Sequence, residues 1–97
     1  MKILALEREL DYTSSAEFKK YAKEEAKVLW DLYSNGFVRE FYFRADEDSA
    51  VLVLEADSAS VASDKLNELP FVSKKLIEFE LVPLKPYPGF ERLFEQS

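Results

Sequence analysis

The 97-residue chain contains no cysteine and no histidine. Without cysteine there is no disulfide framework, thiolate zinc site, iron–sulfur cluster or thiol nucleophile. Without histidine, neither a serine–histidine–aspartate triad nor a histidine-ligated haem can be built within one chain. Proton transfer falls to Asp, Glu, Lys, Tyr or water, and a metal would need oxygen ligands alone; no metal and no cofactor is expected. Glycine is nearly as scarce. Gly36 and Gly89 are the only two, too few for a loop that cradles phosphate. Long apolar runs are missing as well. Ile3 to Leu6 is cut off by Glu7, short of the ~7–15 apolar residues of a signal peptide or the ~20 of a membrane helix. The expectation is a soluble, cytoplasmic protein with no membrane partner. Positive charge is in deficit, 13 basic residues against 19 acidic for a net charge of −6, which disfavours nucleic acid. The densest basic run, Lys19, Lys20, Lys23 and Lys27, alternates with Glu17, Glu24 and Glu25 and reads as a solvated helix face.

What remains is a hydrophobic content of 47%, enough for a folded core. The length suits a single domain over residues 1–97, in which only about 60–70% of the unfolded surface is buried, so the core must be well patterned or shared.

Residues 1–10 alternate in polarity and predict a strand. Asp11 to Ser15 reads as a loop. Ser14 with Glu17 forms a capping box, and Phe18, Tyr21, Ala22, Val28, Leu29 and Leu32 define one face of a helix of about 20 residues that stops at Asn35-Gly36. Phe37 to Arg44 is a second strand, Asp46 to Ser49 a polar turn, and Ala50 to Glu55 a strand apolar on both faces, hence central. Ser58 to Leu69 is a shorter helix, expected to stop at Pro70. Lys75 to Leu84 is a fourth strand. The tail, residues 83–97, carries Leu84, Tyr87, Phe90, Leu93 and Phe94. It is too apolar to hang free and should pack on its own or a partner subunit.

The order βαββαβ predicts a ferredoxin-like α+β fold, with right-handed crossovers giving strand order 4-1-3-2 and both helices on one face. Leu4, Leu6, Phe41, Phe43, Ile77, Phe79 and Leu81 are expected to meet the helices. The opposite face is expected to hold Ile3, Ala5, Glu7, Val38, Glu40, Tyr42, Arg44, Val51, Val53, Glu55, Glu78 and Glu80. An apolar stripe there would be wetted in a monomer. Covering it stabilises by about 25 cal/mol per Å², so two sheets are expected to pack face to face as a homodimer, or a higher even oligomer, forming a dimeric α+β barrel. The other possibility is a monomer with a half-solvated sheet.

The run Gly36-Phe37-Val38-Arg39-Glu40-Phe41-Tyr42-Phe43-Arg44, then Val51 to Ala56, Ser60 to Leu69 and the Leu69-Pro70-Phe71 turn resemble the muconolactone isomerase-like family of the dimeric α+β barrel superfamily. The Pro86-to-Phe90 tail is more similar to a group of small uncharacterised bacterial proteins attached to it. The resemblance implies a homodimer with a small-molecule pocket in each subunit. It also implies an isomerase or cofactor-free oxygenase activity on a small anionic or aromatic metabolite, or else a non-catalytic ligand-binding or structural dimerisation domain. Arg39 falls where the pattern has an arginine. Glu40 stands where it has a histidine.

Candidate site residues follow from chemistry. Arg39, among Phe37, Phe41 and Phe43, suits a substrate carboxylate or an ion pair with a helix carboxylate such as Glu25; Phe41 would line the same ligand site. Tyr42 beside Arg44 suits a carbonyl or enolate, or a cross-strand ladder in a subunit interface. Glu7 and Glu78, from neighbouring strands, suit proton abstraction if they share a face and one is held neutral; Glu80 is a lesser candidate. Asp46-Glu47-Asp48 lacks the glycine and distal glutamate of a calcium loop and reads as a turn.

Overall fold

The computed structural model describes residues 1–10 and 14–95. Part of the loop expected at Asp11 to Ser15, and the end of the expected tail, lie outside the described residues. The elements run β1 (Lys2–Glu9), α1 (Ser15–Ser34), β2 (Val38–Phe43), β3 (Ala50–Glu55), α2 (Ala59–Leu66), α3 (Pro70–Ser73), β4 (Ile77–Pro83) and a 3-10 turn over Gly89–Phe94. The four strands form one antiparallel sheet in the order β2-β3-β1-β4, which is 4-1-3-2 read from the other edge. This is the expected ferredoxin-like α+β arrangement.

Helix α1 begins where Ser14 Oγ accepts from Glu17 N at 3.4 Å and ends at Asn35, whose N–H donates to Asp31 O. Gly36 follows with φ of +88°, a left-handed conformation that a side chain would strain. Helix α2 starts with Ser58 Oγ accepting from Val61 N at 3.1 Å. Ser58→Ala should cost about 1 kcal/mol of stability, read as a fall in the urea midpoint at unchanged slope.

Pro70 does not simply stop α2. It stands at the first position of α3, where its missing N–H is no loss and its fixed φ favours the turn.

The sheet's inner face packs on the helices through Ile3 and Ala5 of β1, Leu52 and Leu54 of β3, and Ile77 of β4, with Leu32, Ala62, Leu66 and Leu69 opposite. This reverses the expected facing of β1. Register pairs Ile3 with Leu54 and Ala5 with Leu52, while Leu4 pairs with Val53 and Leu6 with Val51. Leu4 and Leu6 therefore lie on the outer face, and Glu7 on the inner one. β1 is a central strand with apolar residues on both sides, so its own alternation could not decide the facing. A second departure is a bulge at Arg39, between the pairs Val38–Leu54 and Glu40–Val53. It turns Val38 inward, where it is buried, and removes Arg39 from the alternation it was expected to share with Phe41 and Phe43.

The outer face carries Leu4, Leu6, Val51, Val53 and Val82, all partly exposed, bordered by Lys2, Arg8, Glu40, Tyr42, Glu55, Glu78 and Glu80. The stripe expected on this face is present with Leu4 and Leu6 in place of Ile3 and Ala5. No described helix is long and apolar enough to cross a membrane.

Candidate functional site

The strand ends nearest the 46–49 turn form the first part of the site. Glu7 points to the inner face, and its Oε1 accepts from Ala50 N at 3.1 Å. Burial raises its pKa above the usual carboxylate range despite that bond, and Glu9 and Glu47 add repulsion.

Helix α1 supplies the second carboxylate, Glu25. The first turn of α3 has free N–H groups, Pro70 offers none, and its N-cap Leu69 has no side-chain acceptor. Glu25 Oε1 fills the gap, accepting from Phe71 N at 2.9 Å. Desolvation outweighs this bond, and the charge of Glu7 adds to it, so the Glu25 pKa is pushed up to about 7.

Between these elements lies a cleft of about 280 Å³ lined by Glu7, Glu9, Ser15, Phe18, Phe43, Asp48 and Phe71. Phe18 and Phe71 meet edge to face with centroids 5.0 Å apart. Aromatic walls, one hydroxyl and Glu7, whose pKa burial raises, can bind a small flat molecule and exchange a proton with it; Glu25 adjoins the cleft through its bond to Phe71 N and is not itself a lining residue. Glu25 was not among the sequence candidates for catalysis, yet its position carried a signal. It lies seven residues from both Phe18 and Leu32 and four from both Tyr21 and Leu29, so an acidic side chain interrupts the apolar stripe of α1.

The other candidates are distributed elsewhere. Glu78 pairs with Arg8 across β1 and β4, at 3.3 Å from Arg8 Nη2, on the outer face. Glu7 and Glu78 are therefore on opposite sides of the sheet and not joined. Tyr42 is also on the outer face, where its hydroxyl donates to Glu40 Oε1 at 2.8 Å; this contact raises the tyrosine pKa. Arg44 closes the 46–49 turn with a two-pronged contact to Asp46, Nε at 2.9 Å and Nη2 at 2.6 Å, and with Glu47 at 2.7 Å. Asp46 is correspondingly held below its usual pKa. Phe41 faces the helices and stacks edge to face on Tyr33 at 5.1 Å.

Arg39 sits toward the other end of the sheet, roughly 12 Å from Glu7 along the strands at ~3.4 Å per residue. Its Nε donates to Gly36 O at 2.6 Å. It lines a separate cleft of about 440 Å³ with Asn35, Phe37, Glu55, Asp57 and Lys65. Among the described residues no group of acidic side chains is clustered tightly enough to hold a metal ion.

No family model matches the chain, and no curated protein matches it. Eight chains of known structure do match. One is the crystal structure of muconolactone isomerase at 3.3 Å resolution, which superposes with a TM-score of 0.74 at 19% identity, over 92% of this chain and 93% of that one. The α+β fold is thus muconolactone isomerase-like. At that identity the likeness speaks for fold alone.

Proposed function

We propose that the protein is a homodimeric α+β barrel that binds a small neutral, aromatic or enolisable molecule in the Glu7 cleft, next to Glu25, and moves a proton on it without a cofactor. The observation that carries this reading is a cleft walled by three phenylalanines and Glu7, with a second partly buried glutamate, Glu25, accepting from the backbone N–H of Phe71 in its wall. With its pKa near 7, Glu25 is populated in both forms at neutral pH, which suits a general acid–base. As carboxylate it removes a proton from carbon next to a carbonyl, leaving an enolate and a neutral acid. Return of that proton to a different carbon gives the isomer and restores the carboxylate. The Ser15 hydroxyl is the donor in the cleft best suited to the enolate oxygen. Glu7, Glu9 and Asp48 repel a substrate carboxylate, so of the anionic and aromatic classes the cleft favours an uncharged aromatic one. Tyr42 and Glu78 belong, in this reading, to the subunit interface.

Incubation with uncharged unsaturated lactones and cyclic enones in D2O tests it, with proton NMR following loss of the hydrogen next to the carbonyl. Saturable, protein-dependent exchange is expected, rising with an apparent pKa near 7 and falling at least ~100-fold in Glu25→Gln, the usual scale of a general base. Exchange that is absent, or unchanged in Glu25→Gln, contradicts it.

The Arg39 cleft supports a second, non-catalytic reading. Arg39 and Lys65 line it together with Glu55 and Asp57, and the arginine fork suits the carboxylate of a small ligand. Chemical-shift titration with aromatic carboxylates that moves Phe37 and Val61 signals, and is lost in Arg39→Ala, would favour it.

A further inference from the structure

We infer that an apolar groove between α1 and β2 is the second half of the Glu7 site, and that it takes the hydrocarbon tail of a molecule whose carbonyl end lies in the Glu7 cleft. The substrate class is then an uncharged, enolisable carbonyl compound carrying a straight apolar tail. The role given to the carbonyl end rests on the proton-transfer reading above; the tail subsite is tested by binding.

Three inner-face residues lie in a row across the sheet at the end nearest the 46–49 turn. Glu7 of β1 accepts from the N–H of Ala50 on β3 at 3.1 Å, and Ala50 pairs with Phe43 on β2. Phe43 lines both the Glu7 cleft and the groove, and Ala50 lines the groove. Leu29 of α1, Phe41 and Leu52 complete the groove, whose volume is about 300 Å³. One residue of the row therefore separates the carboxylate from the groove, and it is an alanine. Its methyl group leaves open the space over β3 that a longer side chain would fill. Phe43 stands at the junction, and its ring becomes the element that decides how a head in one half continues into the other.

The two halves differ in chemistry. Glu9, Asp48 and the Ser15 hydroxyl border the Glu7 cleft and suit a polar head without negative charge. No charged side chain lines the groove. Its aromatic rims, Phe41 and Phe43, are 46% and 71% exposed, and an apolar tail laid against them displaces water from both surfaces. Size agrees with this division. The cleft and the groove, at about 280 and 300 Å³, each stand at the ~300 Å³ lower end of ordinary ligand sites. Joined, they fall well inside that range. A molecule the size of a single ring fills the first half and leaves the second wet. The groove opens on the helix side of the sheet, so pairing of two outer faces leaves it accessible.

The test uses the full chain and cyclopentenones bearing straight alkyl tails, from methyl to octyl, beside the carbonyl. Affinity is read by NMR titration of the leucine methyl and phenylalanine ring signals. Each added methylene should tighten binding about fourfold until the groove is filled. Leu29 and Leu52 signals should move on the same saturation curve as those of Phe18 and Phe71. Leu29→Phe fills the groove from α1, away from Glu7. It should abolish the gain with tail length and leave the methyl-tailed compound bound as in wild type. Phe41→Trp narrows the groove from β2 and should do the same, and circular dichroism verifies the fold of each variant. Affinity that does not rise with tail length overturns the inference. So does a rise that both variants leave intact, or separate saturation of the leucine and phenylalanine signals. The two readings fail separately. Tail-dependent binding on one curve, without exchange of the hydrogen next to the carbonyl in D2O, removes the proton chemistry and upholds the two-part site. Exchange on the methyl-tailed compound with no dependence on tail length removes the tail subsite alone. Absence of binding by every member overturns both.

Discussion

Stability is expected to fall as pH rises from about 4.5 to about 7, and Glu25→Gln is expected to remove most of that fall. In the folded chain Glu25 titrates near 7, against 4.5 when unperturbed, so between those values the folded state holds a proton that the unfolded state has released. The unfolding free energy then declines with pH across that window and levels off above it. The full shift corresponds to about 3.4 kcal/mol at ~1.36 kcal/mol per pH unit; solvent around this partly exposed group screens it to about 1–2 kcal/mol. Glutamine keeps the oxygen that accepts from Phe71 N and has no charge to desolvate. Urea unfolding of wild type and Glu25→Gln at pH 5 and pH 8 checks this. The variant should gain about 1–2 kcal/mol over wild type at pH 8 relative to pH 5, and equal pH slopes would contradict the placement of Glu25. Glu7 shifts in the same direction and leaves a smaller residual slope in the variant. The exposed pairs of Asp46 with Arg44 and Glu55 with the N-terminus have the opposite sign, since both carboxylates are held below their usual pKa. Their contribution is lost only in acid.

Leu4→Glu should split the proposed dimer while leaving each subunit folded. Leu4 lies on the outer face between Val53 of β3 and Val82 of β4, in the middle of the apolar stripe. In a lone subunit a glutamate there reaches water, because the position is only partly covered. Between two sheets it is buried without a partner, at about 3–5 kcal/mol, which weakens association at least ~100-fold. Sedimentation velocity across a dilution series measures the dissociation constant, and circular dichroism verifies the fold. A Leu4→Glu chain that dimerises like wild type would place the interface elsewhere.

The sequence made the βαββαβ order and strand neighbours legible because each element carries its own local signal: Ser14 and Ser58 at helix starts, Asn35-Gly36 at a stop, and the doubly apolar Ala50-to-Glu55 strand. Facing was harder. Ile3, Ala5, Leu4 and Leu6 are all apolar, so only the register with β3 determines which pair meets the helices, and register is a long-range property. The bulge at Arg39 was hidden for a related reason, since one extra residue leaves no mark in an alternating run. Those two features account for the dispersal of the candidate site. Reversing β1 parts Glu7 from Glu78 and brings it to Glu25, while the bulge removes Arg39 from the phenylalanines of β2. Glu25 was visible only as an acid within an apolar stripe, and its cause, the uncapped start of α3, lies 46 residues downstream.

Sedimentation equilibrium of the wild-type chain at micromolar concentration tests the face-to-face pairing most directly. A particle of twice the 11.3 kDa chain mass is expected, dissociating only on strong dilution; a folded 11.3 kDa species that persists at those concentrations contradicts the pairing.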